Sequence, residues 1–327
     1  GAMARIGLLV TRSHAVETLA RATHFVFDKT GTLTLGRPVL LEGLPLGRLS
    51  GAACTALAAA IEQTSEHPVG VALREATSDA LRVEGANNTP GCGMQAVFDG
   101  RTVRVGRPAW VGELHGLPLP VAVQALLDCG DTVIALGDDA GWLALFRFGD
   151  AVRPEAAAMI AELRAAGRRV ALLTGDAAPV AARVAGVLGI DAVRAGATPL
   201  EKHAYVEALQ ARGAVVAMVG DGVNDAPVLA RAQVSVAMGS GSQLARTQAD
   251  LILLSENLMQ LSRGYRLARR ALRVIRQNLV WSFVYNFVAL PLAMVGWVTP
   301  WMAGIGMSGS SLLVVLNSLR LQKPGKG

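Results

Sequence analysis

Asp28-Lys29-Thr30-Gly31-Thr32-Leu33-Thr34 follows directly on Phe25-Val26-Phe27. The apolar triplet is rich in β-formers and predicts a buried strand. Asp28 then sits at its carboxyl end, where open α/β sheets place their ligand crevices. Thr-Gly-Thr adds hydroxyls and a permissive glycine, which let backbone N–H groups turn toward an anion. A carboxylate so placed can attack a phosphoryl group and hold it as an acyl phosphate. An isolated Asp-Lys-Thr-Gly would favour the plainer reading, an aspartate that caps a turn.

The chain beyond supports an α/β fold. From Asp150 strands and helices alternate, with Pro154 at a helix start and Gly167 at its end. Arg169–Leu173 reads as a strand ending in Thr174-Gly175-Asp176, with a helix to Val187 and another over Leu200–Arg212. Ala214–Val219 reads as a strand ending in Gly220-Asp221-Gly222-Val223-Asn224-Asp225, and Val234–Met238 opens on Gly239-Ser240-Gly241-Ser242. Three strands thus deliver polar groups at their carboxyl ends, where they can converge in one crevice. Between Thr34 and about Arg147 this alternation is missing. Helical spacing covers Leu49–Gln63 and Pro68–Arg82, and turns at Asp99-Gly100 and Gly137–Gly141 separate apolar runs, which predicts an insert of helices and antiparallel hairpins.

A 52% hydrophobic fraction over 327 residues is high for a soluble chain, and the net charge is +6. The cations are concentrated: Arg263, Arg266, Arg269, Arg270, Arg273 and Arg276 crowd one stretch, and Arg320, Lys323 and Lys326 another. Setting those nine aside leaves 22 basic against 25 acidic residues. Between Gln277 and Arg320 no residue is charged, which is room for two membrane spans of about 20 residues broken at Gly296–Pro300. The basicity flanks both outer ends, so it marks the cytoplasmic side of a membrane and not a nucleic-acid partner. Trp281, Trp297 and Trp301 are spaced as interfacial anchors. Cys54, Cys92 and Cys129 form no Cys-x-x-Cys pair, so no zinc site or disulfide framework is expected.

Phosphoryl transfer rests on positioning and charge neutralisation. Asp28 is the candidate nucleophile. Asp221, between two glycines, is the candidate second carboxylate on Mg2+, with the Thr30 carbonyl beside it. Thr174 and Gly175 can donate to phosphate oxygens, and Lys202 in the first turn after Pro199 can reach the same anion. Asn224 and Asp225 would order the Asp221 loop. Singly, Thr174-Gly175-Asp176 is an ordinary turn and Lys202 a solvated lysine.

The seven residues Asp28–Thr34, followed in order by these groups, resemble the phosphorylation domain of P-type ATPases, whose catalytic core is similar to haloacid dehalogenase phosphohydrolases. The resemblance implies a Rossmannoid phosphorylation domain over 1–34 and 148–258, with Lys29 and Asp176 in its catalytic set. It also implies an inserted α+β nucleotide-binding domain over 35–147, and a basic helix with a transmembrane hairpin over 259–327. Ser65-Glu66-His67-Pro68 and Gly91-Cys92-Gly93 are similar to the heavy-metal branch. By that resemblance Glu66 and His67 contact the adenine region, while Gly91, Gly93 and Gly106 let the backbone approach the nucleotide. Gly106 is followed by Arg107 where the family usually carries asparagine.

Tyr285-Asn286, Met307, Ser310 and Ser311 resemble the copper(I) pattern, and a thioether is a soft ligand. The uncharged spans speak against a zinc or cadmium pump, the nearest alternative. Leu9-Val10-Thr11-Arg12 and the hairpin look most like copper pumps of cbb3-type oxidase assembly. The resemblance implies ATP and Mg2+ as cofactors and Cu+ as cargo. Its implied partners are membrane lipid, a copper chaperone and a missing N-terminal part carrying the actuator and earlier helices. The setting is a multi-pass (bacterial inner) membrane with cytoplasmic catalytic domains. The rival from another class is a membrane-anchored phosphatase of the dehalogenase type. Such enzymes usually carry a second aspartate two residues after the nucleophile, where this chain has Thr30.

Overall fold

The computed structural model describes residues 2–79, 81–121, 131–221 and 226–321. The chain divides into two compact units, one of Gly1–Asp28, Glu155–Ala171 and Thr198–Gly327, the other of Lys29–Pro154 and Leu172–Ala197.

The first unit is built on a mainly parallel sheet of β1 (Leu8–Val10), β2 (His24–Phe27), β9 (Arg169–Leu173), β11 (Val216–Gly220), β12 (Val234–Met238) and β13 (Leu251–Leu253), in the order β1-β13-β12-β11-β2-β9. Its central strands are runs of Val, Phe, Met and Ala, fully buried, as strands covered on both faces must be. β11 pairs with β2 in parallel, Val219 opposite Phe27, and with β12, Gly220 opposite Ala237. The carboxyl ends of three strands are therefore level. The expected strands at Arg169–Leu173 and Val234–Met238 form over those residues.

The helix Met259–Met294 belongs to this unit and packs on its sheet through its first turns. Leu261, Ser262, Gly264, Tyr265 and Ala268 are buried, and Tyr265 meets Phe25 of β2 edge to face at 5.4 Å. A side chain at Gly264 would strike Leu8, its Cβ 2.5 Å away, so this helix lies close on β1. From Leu279 the surface turns apolar and exposed. A turn at Gly296, with φ +80°, leads to the helix Pro300–Leu319, none of which is buried. Asn278 donates to Ser318 (3.0 Å), Trp281 to Ser310 (3.1 Å) and Asn317 to Asn278 (2.8 Å), tying the two helices together.

Among the described residues one helix, Pro300–Leu319, is long and apolar enough to cross a membrane, with a mean hydropathy of 1.4. Two spans were expected. The first falls short because its uncharged part runs only from Gln277 to Met294 and contains Asn278, Ser282 and Asn286.

The second unit has a six-stranded antiparallel sheet in the order β3-β8-β7-β6-β5-β4. These are β3 (Thr34–Pro45), β4 (Glu84–Thr89), β5 (Gly93–Phe98), β6 (Arg101–Gly106), β7 (Thr132–Asp138) and β8 (Gly141–Val152). The helices Gly51–Ile61 and Pro68–Glu75 cover one face, burying Leu57, Ile61 and Leu73 against Met94, Val105, Leu136 and Phe146. The hairpin at Asp99-Gly100 has positive φ at both residues, 50° and 74°, as a tight turn matching the strand twist requires. The second helix stops at Glu75, short of the expected Arg82, where Thr77 Oγ1 accepts from the Asp79 N–H and turns the chain. β10 (Ala192–Arg194) also belongs to this unit.

Asp131 holds two segments of the second unit together. It accepts from Arg147 (3.0 Å) and from Arg183 (2.6 Å at Oδ1) and is buried. Burial alone would raise its pKa, but Arg183 and Arg147 outweigh burial and lower it. A lowered folded pKa stabilises above the ordinary carboxylate range, and that stability is lost as pH falls through the folded value. Asp131→Asn should therefore cost about 1–3 kcal/mol at neutral pH. Urea melts at descending pH should bring wild type and variant together in acid.

Candidate active site

β2 delivers Asp28. Its N–H donates to the Val219 carbonyl (2.9 Å), extending the strand pairing through Asp28. Only 6% exposed, the carboxylate accepts from Lys202 Nζ at 2.5 Å, and Lys202 is itself 7% exposed. Charges so buried are tolerated when paired. Lys202 is placed by a capping box: Thr198 Oγ1 accepts from Glu201 N (3.3 Å), while Glu201 Oε2 accepts from Thr198 N (2.8 Å). The box fixes the first helical turn, and Lys202 points from it to the sheet edge.

Asp221 follows β11, the parallel neighbour of β2, so both acids leave the same sheet edge. Its carbonyl accepts from Ser242 N (2.8 Å), and Ser242 caps the helix Gln243–Gln248 through Ala245 N (3.1 Å). A Cβ at Gly241 would lie 2.7 Å from the Asp221 carbonyl oxygen, so only glycine admits the loop this close. Carboxylates leaving these two neighbouring strands at the same end would offer the oxygen donors that Mg2+ takes together with its own waters. Among the described residues no group of three or more His, Cys, Asp or Glu gathers to hold a metal. Asn224 and Asp225 lie outside the described residues.

In the second unit, Lys29 Nζ lies 2.9 Å from Asp176 Oδ2, which also accepts from the Thr174 hydroxyl (2.5 Å). Asp176 N donates back to Thr174 Oγ1 (3.1 Å), closing a compact turn after β9. The 194–197 segment braces it: Thr174 N donates to Arg194 O (2.9 Å), Ala197 N to Thr174 O (2.9 Å) and Gly196 N to Asp176 O (2.7 Å). Gly175 lies within the turn and Thr30 is exposed.

Sequence reasoning missed two braces. The buried guanidinium of Arg153 donates to the carbonyls of Thr32 (2.9 Å) and Gly31 (3.1 Å), and the Arg153 backbone N–H donates to Leu33 O (2.9 Å). Gly31 has φ +70° there. Asp150 accepts from the Thr34 hydroxyl and from Gly36 N (2.8 Å). An acid and an arginine three apart, ahead of Pro154, were the available signal.

The expected nucleotide residues also gather in the second unit. Glu66, His67, Gly91, Gly93 and Gly106 all line one cavity of about 890 Å3. His67 caps the helix Pro68–Glu75, its Nδ1 accepting from Val69 N (3.3 Å), which puts the proton of the neutral ring on Nε2. Gly93 and Gly106 face each other across β5 and β6; a Cβ on either would lie 2.1 or 2.2 Å from the opposing backbone oxygen. Glu66 is exposed at the rim. The buried carboxylate on this cavity is Glu62, 6% exposed, whose Oε2 has no hydrogen-bond partner among the described residues. Its sequence signal was faint, one acid at the end of an alanine-rich helix.

In the hairpin, Tyr285 packs on Gly306 and Ser310 accepts from Trp281. Asn286, Met307 (63% exposed) and Ser311 face outward.

Residues 22–233 match the family of haloacid dehalogenase-like hydrolases. The chain is 40% identical over 335 aligned residues to a probable copper-transporting ATPase, SynA, of Synechococcus, covering 98% of this chain and 42% of that protein. It is equally 40% identical to probable copper-exporting P-type ATPase V of Mycobacterium tuberculosis, covering 100% of this chain and 43% of that one. The chain thus spans less than half the length of these relatives. A crystal structure of a zinc-transporting PIB-type ATPase in its E2.Pi state superposes with a TM-score of 0.86 at 34% identity, over 98% of this chain and 53% of the other.

Lys202→Ala should leave Asp28 buried without its counter-ion and cost about 3–5 kcal/mol. Asp28→Asn in the same chain should restore part of that loss. A urea double-mutant cycle showing additive losses would contradict a direct pair.

Proposed function

The chain belongs to the haloacid dehalogenase-like hydrolases, in their heavy-metal P-type ATPase branch, and from that membership we propose that Asp28 takes the γ-phosphate of ATP. The observation that carries the reading is the 2.5 Å contact between Lys202 and Asp28. The ammonium balances the charge of the carboxylate in a setting too buried for either to stand alone. A carboxylate oxygen of Asp28 forms the new P–O bond as the bond from the γ-phosphorus to the bridging oxygen breaks, and ADP leaves with that electron pair. Mg2+, when bound, supplies charge neutralisation on the phosphate oxygens. Asp28 and Asp221 would hold it, with the Thr30 carbonyl. Thr174 and Gly175 are the proposed donors to the phosphoryl oxygens, the Thr174 hydroxyl turning to them from Asp176. Lys29 keeps Asp176 neutralised within the turn that presents them, and Asn224 and Asp225 would have the role of ordering the Asp221 loop.

On this reading residues 1–34 and 148–258 are the phosphorylation domain, 35–147 the nucleotide-binding domain and 259–327 the membrane part. ATP enters the cavity with its adenine near Glu66 and His67, and Glu62 joins them from the buried side. A buried carboxylate lacking a donor suits the amino group of adenine. The glycines at 91, 93 and 106 keep its wall thin.

The whole protein would be a multi-pass pump with these domains in the cytoplasm, in a bacterial inner membrane, moving copper(I). Tyr285, Asn286, Met307, Ser310 and Ser311 would line the ion's path, with the pump's N-terminal part and a copper chaperone as partners. The names of the relatives and the thioether of Met307 favour copper; the zinc-transporting crystal structure favours the alternative ion. A phosphatase is disfavoured by Thr30, which offers no carboxylic acid to assist hydrolysis.

Incubation with γ-labelled ATP and Mg2+ should leave acid-stable, hydroxylamine-labile label on the wild type and none on Asp28→Asn; label surviving in that variant would refute the nucleophile. Calorimetry should find ATP bound roughly tenfold more weakly by Glu62→Gln, the difference between a charged and a neutral acceptor. Unchanged affinity would remove Glu62 from the nucleotide site.

A further inference from the structure

A second cavity, of about 730 Å3, lies within the first unit where the helix Met259–Met294 leaves the packed body. Five arginines line it: Arg269, Arg273 and Arg276 from that helix, with Arg21 and Arg168 from the body. No carboxylate is among its lining residues. Arg21 pairs with Glu17 one turn back (2.5 Å). Arg168 is held in place by bonds to the carbonyls of Ala166 (3.0 Å) and Ala22 (3.1 Å), so its guanidinium is set before any ligand arrives. Arg273 and Arg276 are exposed.

The lining changes character along a single stripe. Positions 269, 273, 276, 280 and 284 recur at helical spacing on one face. Its first three members are cations and its last two are Val280 and Val284, 63% and 49% exposed, with Trp281 beside them. Within one turn the surface passes from anion-binding to hydrocarbon-like. A water-soluble phosphate compound would use only the arginines, and an acidic peptide would gain nothing from the valines and tryptophan. A molecule with a phosphate at one end and a fatty chain at the other matches the whole stripe.

We propose that this cavity is a binding site for one anionic phospholipid, its headgroup phosphate among Arg168, Arg273 and Arg276 and an acyl chain along Val280, Trp281 and Val284. The site rests on the membrane reading of the hairpin but is independent of phosphorylation at Asp28. It differs from diffuse attraction to a charged bilayer by being a concave site with an apolar floor.

Native mass spectrometry of the full chain in mild detergent, offered equal phosphatidylglycerol and phosphatidylcholine, tests it. Phosphatidylglycerol should be retained roughly tenfold over phosphatidylcholine, the preference shrinking as salt rises. Arg273→Gln with Arg276→Gln should bring retention to near parity, with an unchanged thermal melt. Glycerol 3-phosphate should not displace the lipid. Equal retention of both lipids by the wild type, which needs no variant to fold, would overturn the site. So would an unaffected double variant, or displacement by glycerol 3-phosphate, which would mark a site for soluble phosphoanions. Flotation with plain phosphatidylcholine vesicles separates the two levels: a chain that floats without lipid preference loses only this site, and one that stays in solution loses the membrane reading as well.

Discussion

A carboxylate and an ammonium, each almost removed from water and 2.5 Å apart, set the terms for the first unit. Neither charge is stable there alone, so everything that positions one is constrained by the other. Asp28 is aimed by strand pairing that runs one residue past β2, through the bond from its N–H to Val219. Lys202 is aimed by a helix whose first turn is locked by Thr198 and Glu201. A register slip of one residue in β2 would turn Asp28 to the other face and leave Lys202 buried without its partner.

The acids at this edge depend equally on what is kept away. Gly241 has no side chain because the Asp221 backbone fills the space, and Gly93 and Gly106 are bare because β5 and β6 touch backbone to backbone. Arg153 performs the complementary task in the signature loop. Carbonyls that a tight, glycine-containing turn cannot pair with itself are collected by one buried guanidinium. The loop after Asp28 therefore owes its shape to a residue more than a hundred positions downstream.

That distance marks the boundary of what the sequence made legible. Strands that are continuous apolar runs, such as Arg169–Leu173 and Val234–Met238, declare themselves, and so do motifs whose chemistry lies in consecutive residues. The polar edge strand Glu84–Thr89 does not, because its sequence, Glu-Gly-Ala-Asn-Asn-Thr, has no strand periodicity and it forms only through pairing with β5. The long strand Thr34–Pro45 was hidden by Gly36, Pro38 and Gly43, of which Gly36 and Pro38 are accommodated at a register shift against β8. Arg153 and Glu62 were harder to see for a different reason: each acts through burial, which a local pattern reports only faintly, while Asp150 acts through Thr34 and Gly36, more than a hundred positions upstream. The hairpin declares itself by length and missing charge, while Asn278, Ser282 and Asn286 lower the apolarity of its first helix.

The helix Met259–Met294 has one further property. Its buried end grips β1 and β2 through Gly264 and Tyr265, and it continues without a break for about 54 Å, the rise of its 36 residues. An unbroken rod of this kind stores little bending, so a small pivot at the gripped end becomes a proportionally larger sweep at the far one. Its only interior proline, Pro291, lies within the last turn, too far along to act as a joint. Whatever tilts the sheet must therefore arrive among the apolar residues as a lever stroke.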